Sequence, residues 1–118
     1  MISLDGLEMY VSSTATTGVV DSDTHLHFSQ RGDRVFARYS GGRVGRGWLV
    51  GRLVGAKLTF RFAQHEGVHG IHGGRSVCEV RRLDAGCIRI VERFAWSTRS
   101  GTGTNVFDEV PRARSRET

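Results

Sequence analysis

Proline is almost missing from this chain: Pro111 stands alone in 118 residues, against sixteen glycines. That ratio excludes collagen-like and proline-rich disordered sequence and implies many tight turns, because glycine adopts the backbone conformations that turns require. Lysine is equally scarce, since Lys57 is the one lysine among seventeen basic residues. An arginine-only bias beside abundant Gly and Val also follows from a GC-rich genome, so it carries little functional weight. Apolar runs stop at three or four residues, which excludes a transmembrane helix. Residues 1–20 show no basic stretch followed by an apolar run, so no export signal is visible and a soluble, cytoplasmic protein is expected. Cys78 and Cys87 are the two cysteines; without an export signal, free thiols are expected rather than a disulfide. Helical spacing is missing too. No segment places apolar residues at i, i+3, i+4 and i+7 over ten positions, so helix content should be near zero.

What is present is period two, repeated. Eight stretches alternate polar with apolar residues: 7–13, 24–30, 34–40, 47–53, 57–63, 75–81, 87–96 and 104–110. They start 10–18 residues apart and are bounded by Gly, Asp, Asn or Ser, the pattern of an all-β chain. The connections are too short for a sandwich's crossovers, whereas eight strands in a meander close naturally into a barrel and so remove both exposed edges. The expected fold is therefore a single eight-stranded antiparallel up-and-down barrel over residues 1–110. Residues 111–118 form a polar, basic tail, expected to be disordered. The tail takes three Arg and one Glu from the net charge of +5, which leaves +3 on residues 1–110.

The seventh stretch carries the most chemistry. Alternation puts Ile88, Ile90, Glu92, Phe94 and Trp96 on one face and Arg89, Val91, Arg93 and Ala95 on the other. The first face is apolar and should point inward, which places Glu92 in the interior. A buried carboxylate must be paired, hydrogen-bonded or protonated, and such a group suits either an acid–base catalyst or a ligand contact. Tyr39 shares a face with Val35 and Ala37 and would present its phenol inside. Trp48 and Trp96 would supply aromatic walls.

Other constellations are weaker. His25 and His27 share a strand face, and His65, His69 and His72 lie in the Gly- and His-rich stretch 64–74, expected to be a loop. No set of three convergent zinc ligands is fixed by these spacings. Gly41–Gly47 imitates a phosphate loop but has no helix after it, so a hairpin turn is the better account. Arginines interleaved with aromatics raise single-stranded nucleic acid as a partner, but they are spread over many strands and no aromatic triplet recurs.

Tyr10-Val11-Ser12-Ser13, Gly18-Val19-Val20, Phe28–Gly32 and Val35–Gly42 (with its Tyr39-Ser40-Gly41-Gly42 block), followed by Gly47, Leu49, Gly51, Leu58, Phe60, Glu92, Trp96 and Asp108-Glu109, resemble a family of small bacterial proteins often labelled "N-acetylglutamate synthase". The resemblance spans roughly residues 8–110. It implies the barrel and marks Tyr39, Glu92 and Trp96 as candidates; the Arg- and His-rich positions and the basic tail depart from its pattern.

The leading expectation is a small-molecule-binding barrel, broadly avidin- or lipocalin-like in architecture. A small hydrophobic or aromatic ligand would enter at the end carrying residues 64–74 and contact Tyr39, Trp48, Phe94, Trp96 and Glu92. No cofactor, metal or membrane is called for. The first alternative is a cofactor-independent cyclase or isomerase on the same barrel, with Glu92 moving a proton and Tyr39 donating a hydrogen bond. The second is a single-stranded nucleic-acid binder using exposed arginines. Pairing of two copies through the wall at Val91 and Ala95 is left open.

Overall fold

The computed structural model describes residues 2–111, so the tail beyond Pro111 lies outside the described residues. Its eight strands are β1 (Glu8–Ser13), β2 (His25–Arg31), β3 (Arg34–Gly41), β4 (Val44–Val54), β5 (Lys57–His65), β6 (Ile71–Arg82), β7 (Ile88–Trp96) and β8 (Thr102–Glu109). Each pairs antiparallel with its neighbour in sequence. β1 also pairs with β8 through Met9–Glu109, Tyr10–Asp108 and Val11–Phe107, which closes the sheet into the expected barrel.

Period two is what selects the inside of the wall. On β3 the residues Val35, Ala37 and Tyr39 are buried while Arg34, Phe36 and Arg38 face out. On β7 the buried set is Ile88, Ile90, Glu92 and Phe94, with Trp96 half-buried at the end. The eleven-residue connection 14–24 and the 66–70 and 97–101 turns gather at one end, called here the upper end. The lower end is apolar, with Met9, Phe28, Val35, Leu53, Leu58 and Ile90 all in the core cluster. Leu4, fully buried, plugs that end, and its N–H donates to Gln30 Oε1 at 2.8 Å.

Two expected loops prove shorter than their glycines suggest. The 64–74 stretch contracts to residues 66–70, which hold a three-residue 3-10 turn at Gly67–His69, because β5 runs on to His65 and β6 starts at Ile71. The 41–47 stretch contracts likewise, since β4 already begins at Val44. Glycine within these strands seats a neighbour rather than breaking the ladder. Gly47 lies opposite Tyr39 across β3 and β4, and a Cβ there would run into the Tyr39 ring.

Candidate functional site

Glu92 sits where β7 is flanked by β6 and β8, in register with Cys78 and Asn105. The Ser76 hydroxyl donates to its Oε2 at 2.6 Å and Asn105 Nδ2 donates to its Oε1 at 2.9 Å. Both donors are neutral and buried. Burial pushes the Glu92 carboxyl above the usual range, and these two hydrogen bonds offset only part of that push. The two donors are not equivalent. Asn105 is held as a donor because its Oδ1 accepts from the Ala15 N–H at 2.9 Å. Ser76 can rotate its hydroxyl to accept instead, so Oε2 can be satisfied with or without a proton.

A second set of groups runs from the interior to the upper rim. The Tyr39 hydroxyl donates to Gln64 Oε1 at 2.7 Å, Gln64 Nε2 donates to Glu66 Oε2 at 2.8 Å, and Arg99 donates to Glu66 Oε1 at 2.6 Å. Burial, then the charges of Glu92 and Glu66, push the Tyr39 phenol up, so it remains a donor. Burial also pushes Glu66 up, but the Arg99 and Gln64 hydrogen bonds together outweigh it and hold this carboxyl below its ordinary range. The Arg99 guanidinium stacks 4.4 Å above the Trp96 ring. Trp96 in turn meets Phe62 and Phe94 edge to face, at centroid distances of 5.5 and 5.8 Å.

Residues 14–24 fold over this end as a strap. Trp96 Nε1 donates to the Thr17 carbonyl at 2.8 Å, the Thr17 hydroxyl donates to the Thr102 carbonyl at 2.7 Å, and Gly18 and Val19 are buried. Beneath them lies a cavity of about 30 Å³, lined by Tyr39, Gln64, Glu92, Phe94, Trp96 and Asn105 among others. That is room for a water or two. The strap, not the wall, sets its size: Gly103 on β8 leaves the space that Ala15 and Thr17 occupy, 2.6 Å from where its Cβ would stand.

Tyr39, Glu92, Phe94 and Trp96 are thus brought together as expected. Trp48 is not among them. Inward parity on β4 belongs to Gly47, Leu49 and Leu53, which turns Trp48 onto the outer wall at 48% exposure. His25 and His27 also face outward, and no group of three metal-ligating side chains forms among the described residues. Cys78 and Cys87 are free; Cys78 is buried beside Glu92, where burial pushes its thiol up. Residue type alone does not single out Gln64, Ser76 and Asn105, although each keeps the inward parity of Phe62, Cys78 and Phe107 on its own strand. Arg99 and the strap carry no such periodic signal.

A closed antiparallel barrel, apolar at one end and lined with hydrogen-bonding side chains at the other, is the class these features define. A family model described as "Avidin-like protein" matches residues 2–110, and the chain belongs to that family. No curated protein and no solved structure matches it significantly. The likeness to proteins labelled "N-acetylglutamate synthase" is not supported beyond the barrel itself. Among the described residues the helical structure is the single turn at Gly67–His69, too short to offer the helix N-terminus on which phosphate groups are commonly bound. No helix of the described residues is long and apolar enough to cross a membrane.

Proposed function

We propose that the upper half of the barrel binds a small, largely apolar or aromatic molecule. Tyr39, Phe94 and Trp96 would form the walls, and Glu92 would meet one polar group of the ligand. The observation that carries this reading is the buried Glu92 carboxyl, hydrogen-bonded on both oxygens by neutral partners and facing a largely apolar cavity that Tyr39, Gln64 and Asn105 also line. A carboxylate has about four lone-pair sites, so it can still accept from a ligand hydroxyl or amine. A molecule larger than water must lift the 14–24 strap, so the ligand would enter between the strap and the 66–70 turn. The family match is in keeping with a binding role.

A second reading, a cofactor-independent cyclase or isomerase, draws on the same carboxyl and on the rotatable Ser76 hydroxyl, which together could take up and return one proton. Glu92→Gln separates the two: it would abolish turnover while sparing affinity only if Glu92 moves a proton.

The neutral probe N-phenyl-1-naphthylamine tests the binding reading. Saturable one-to-one fluorescence enhancement is expected, together with stabilisation that grows with concentration, reaching about 2.7 kcal/mol at 100 times Kd. Trp96→Phe, which loses one of the hydrogen bonds that hold the strap and keeps an aromatic wall, should bind the probe more tightly. If neither the probe nor a panel of small neutral aromatics saturates or raises Tm, the interior is core and not a site.

A further inference from the structure

The outer wall of β3–β6 collects what the sequence spreads over four strands. Outward parity aligns Phe36, Val50, Arg61 and Arg75 as successive register partners, and Arg38 faces Trp48 on the adjoining row. At about 4.8 Å between strands, the row spans roughly 14 Å. Phe36 and Trp48 are 45% and 48% exposed, and neither takes part in a ring–ring or arginine–ring contact among the described residues. Two shallow grooves run along this wall. One, of about 470 Å³, is lined by Arg38, Arg46 and Trp48, and the next, of about 350 Å³, by Val50, Arg61 and Arg75.

The charges on this wall stand close together without an acidic partner. Arg38, Arg46, Arg61 and Arg75 form no ion pair among the described residues, whereas Arg52, Arg81, Arg89 and Arg99 each pair with a carboxylate. Arg61 and Arg75 stand directly opposite each other on paired strands, an arrangement that repels unless an anion lies between. A second copy of the chain docking face to face would bring the same unpaired arginines together, so self-association does not relieve them. Flat aromatic faces interleaved with guanidiniums match a flexible polyanion that carries its own aromatic rings.

We propose that this wall binds single-stranded nucleic acid, with bases stacked on Trp48 and Phe36 and phosphates held by Arg38, Arg46, Arg61 and Arg75. The site is separate from the interior cavity and stands whether or not that cavity takes a ligand.

Fluorescence anisotropy with fluorescein-labelled dT20 and the full 118-residue chain tests it. Four phosphate contacts on a single strand give a log–log salt slope of about −2.8, so affinity should fall about 50-fold between 50 and 200 mM salt. Trp48→Ala should weaken binding by roughly fivefold to 150-fold, and Arg61→Ser with Arg75→Ser should halve the slope. All three positions are exposed, and an unchanged Tm shows that each variant is folded. Replacing Arg112, Arg114 and Arg116 of the tail by serine should change affinity by less than twofold. Four results would each overturn the proposal: no binding of dT20 at 50 mM salt, binding abolished by the tail substitutions alone, indifference to Trp48→Ala, or equal affinity for polyglutamate. Sedimentation showing a dimer that buries Trp48 would overturn it as well.

Discussion

Replacing Glu92 by glutamine isolates the electrostatic cost of a carboxyl buried without a cationic partner. Glutamine keeps the shape, can accept from Asn105, and can donate to the Ser76 oxygen. Burial holds the folded-state pKa of Glu92 above its ordinary value, so the unfolded chain releases this proton first. Wild-type stability from this group is therefore fully present below the ordinary glutamate value, about 4.3, and is lost as pH rises towards the folded-state value. The rate of loss does not depend on how large the shift is. One proton retained by the folded state and released by the unfolded one costs about 1.4 kcal/mol per pH unit. The other carboxyls, including Glu66 and Asp108, titrate in both proteins and cancel in the difference. Urea denaturation of the two proteins from pH 4 to 9 should show Glu92→Gln gaining on wild type by about 1.4 kcal/mol per unit, then running parallel. The pH at which the gain stops reads the folded-state pKa directly. A difference that stays flat across this range, or a variant that falls further behind as pH rises, would refute the assignment of Glu92 as a carboxyl strained by burial.

Tyr39→Phe should cost about 1–3 kcal/mol, because it leaves the buried Gln64 Oε1 without its donor, and the cost should be the same at pH 5 and pH 8; a loss below 0.5 kcal/mol in urea, as roughly the floor for such a bond, would mean that Gln64 finds another partner. Arg99→Ala should lower stability by about 1.5–3 kcal/mol at pH 7, the range for a hydrogen bond to a charged group. Glu66 is held below its ordinary range, so its contribution is present above that range and lost as pH falls through the folded-state value. The gap between wild type and Arg99→Ala should therefore narrow in Tm measurements at pH 3. A gap of undiminished size there would assign the effect to stacking on Trp96 instead.

Alternation carried most of the architecture. Eight strands, their antiparallel order, closure, and the inward placement of Tyr39, Glu92, Phe94 and Trp96 all follow from counting parity along each strand. Residue type misleads where it conflicts with parity. Trp48 reads as an interior aromatic until Leu49 and Leu53 are given the same face, which leaves Trp48 with Val50 and Arg52 outside. The glycines at 45, 73 and 74 read as loop, yet they lie in β4 and β6. The strap was illegible for a physical reason. Its position depends on a few hydrogen bonds, such as Ala15 to Asn105, between residues ninety apart, and no local pattern encodes such a contact. The arginines of the outer wall were legible singly and not together, because only the register between strands shows that Arg61 faces Arg75.

The seam between β1 and β8 has a consequence for how the chain is made. Met9 meets Glu109, a hundred positions later, whereas every other seam joins strands adjacent in sequence. The hydrogen bonds of that seam cannot form until the last strand exists. At ribosomal rates of 5–20 residues per second, β1 waits roughly 5–20 s for its partner. Throughout that interval the growing sheet is an open ribbon with two unsatisfied edges, the form in which β-proteins aggregate. The finished barrel conceals its edges by joining the first strand to the last, and that same join makes its birth the most exposed moment of its existence.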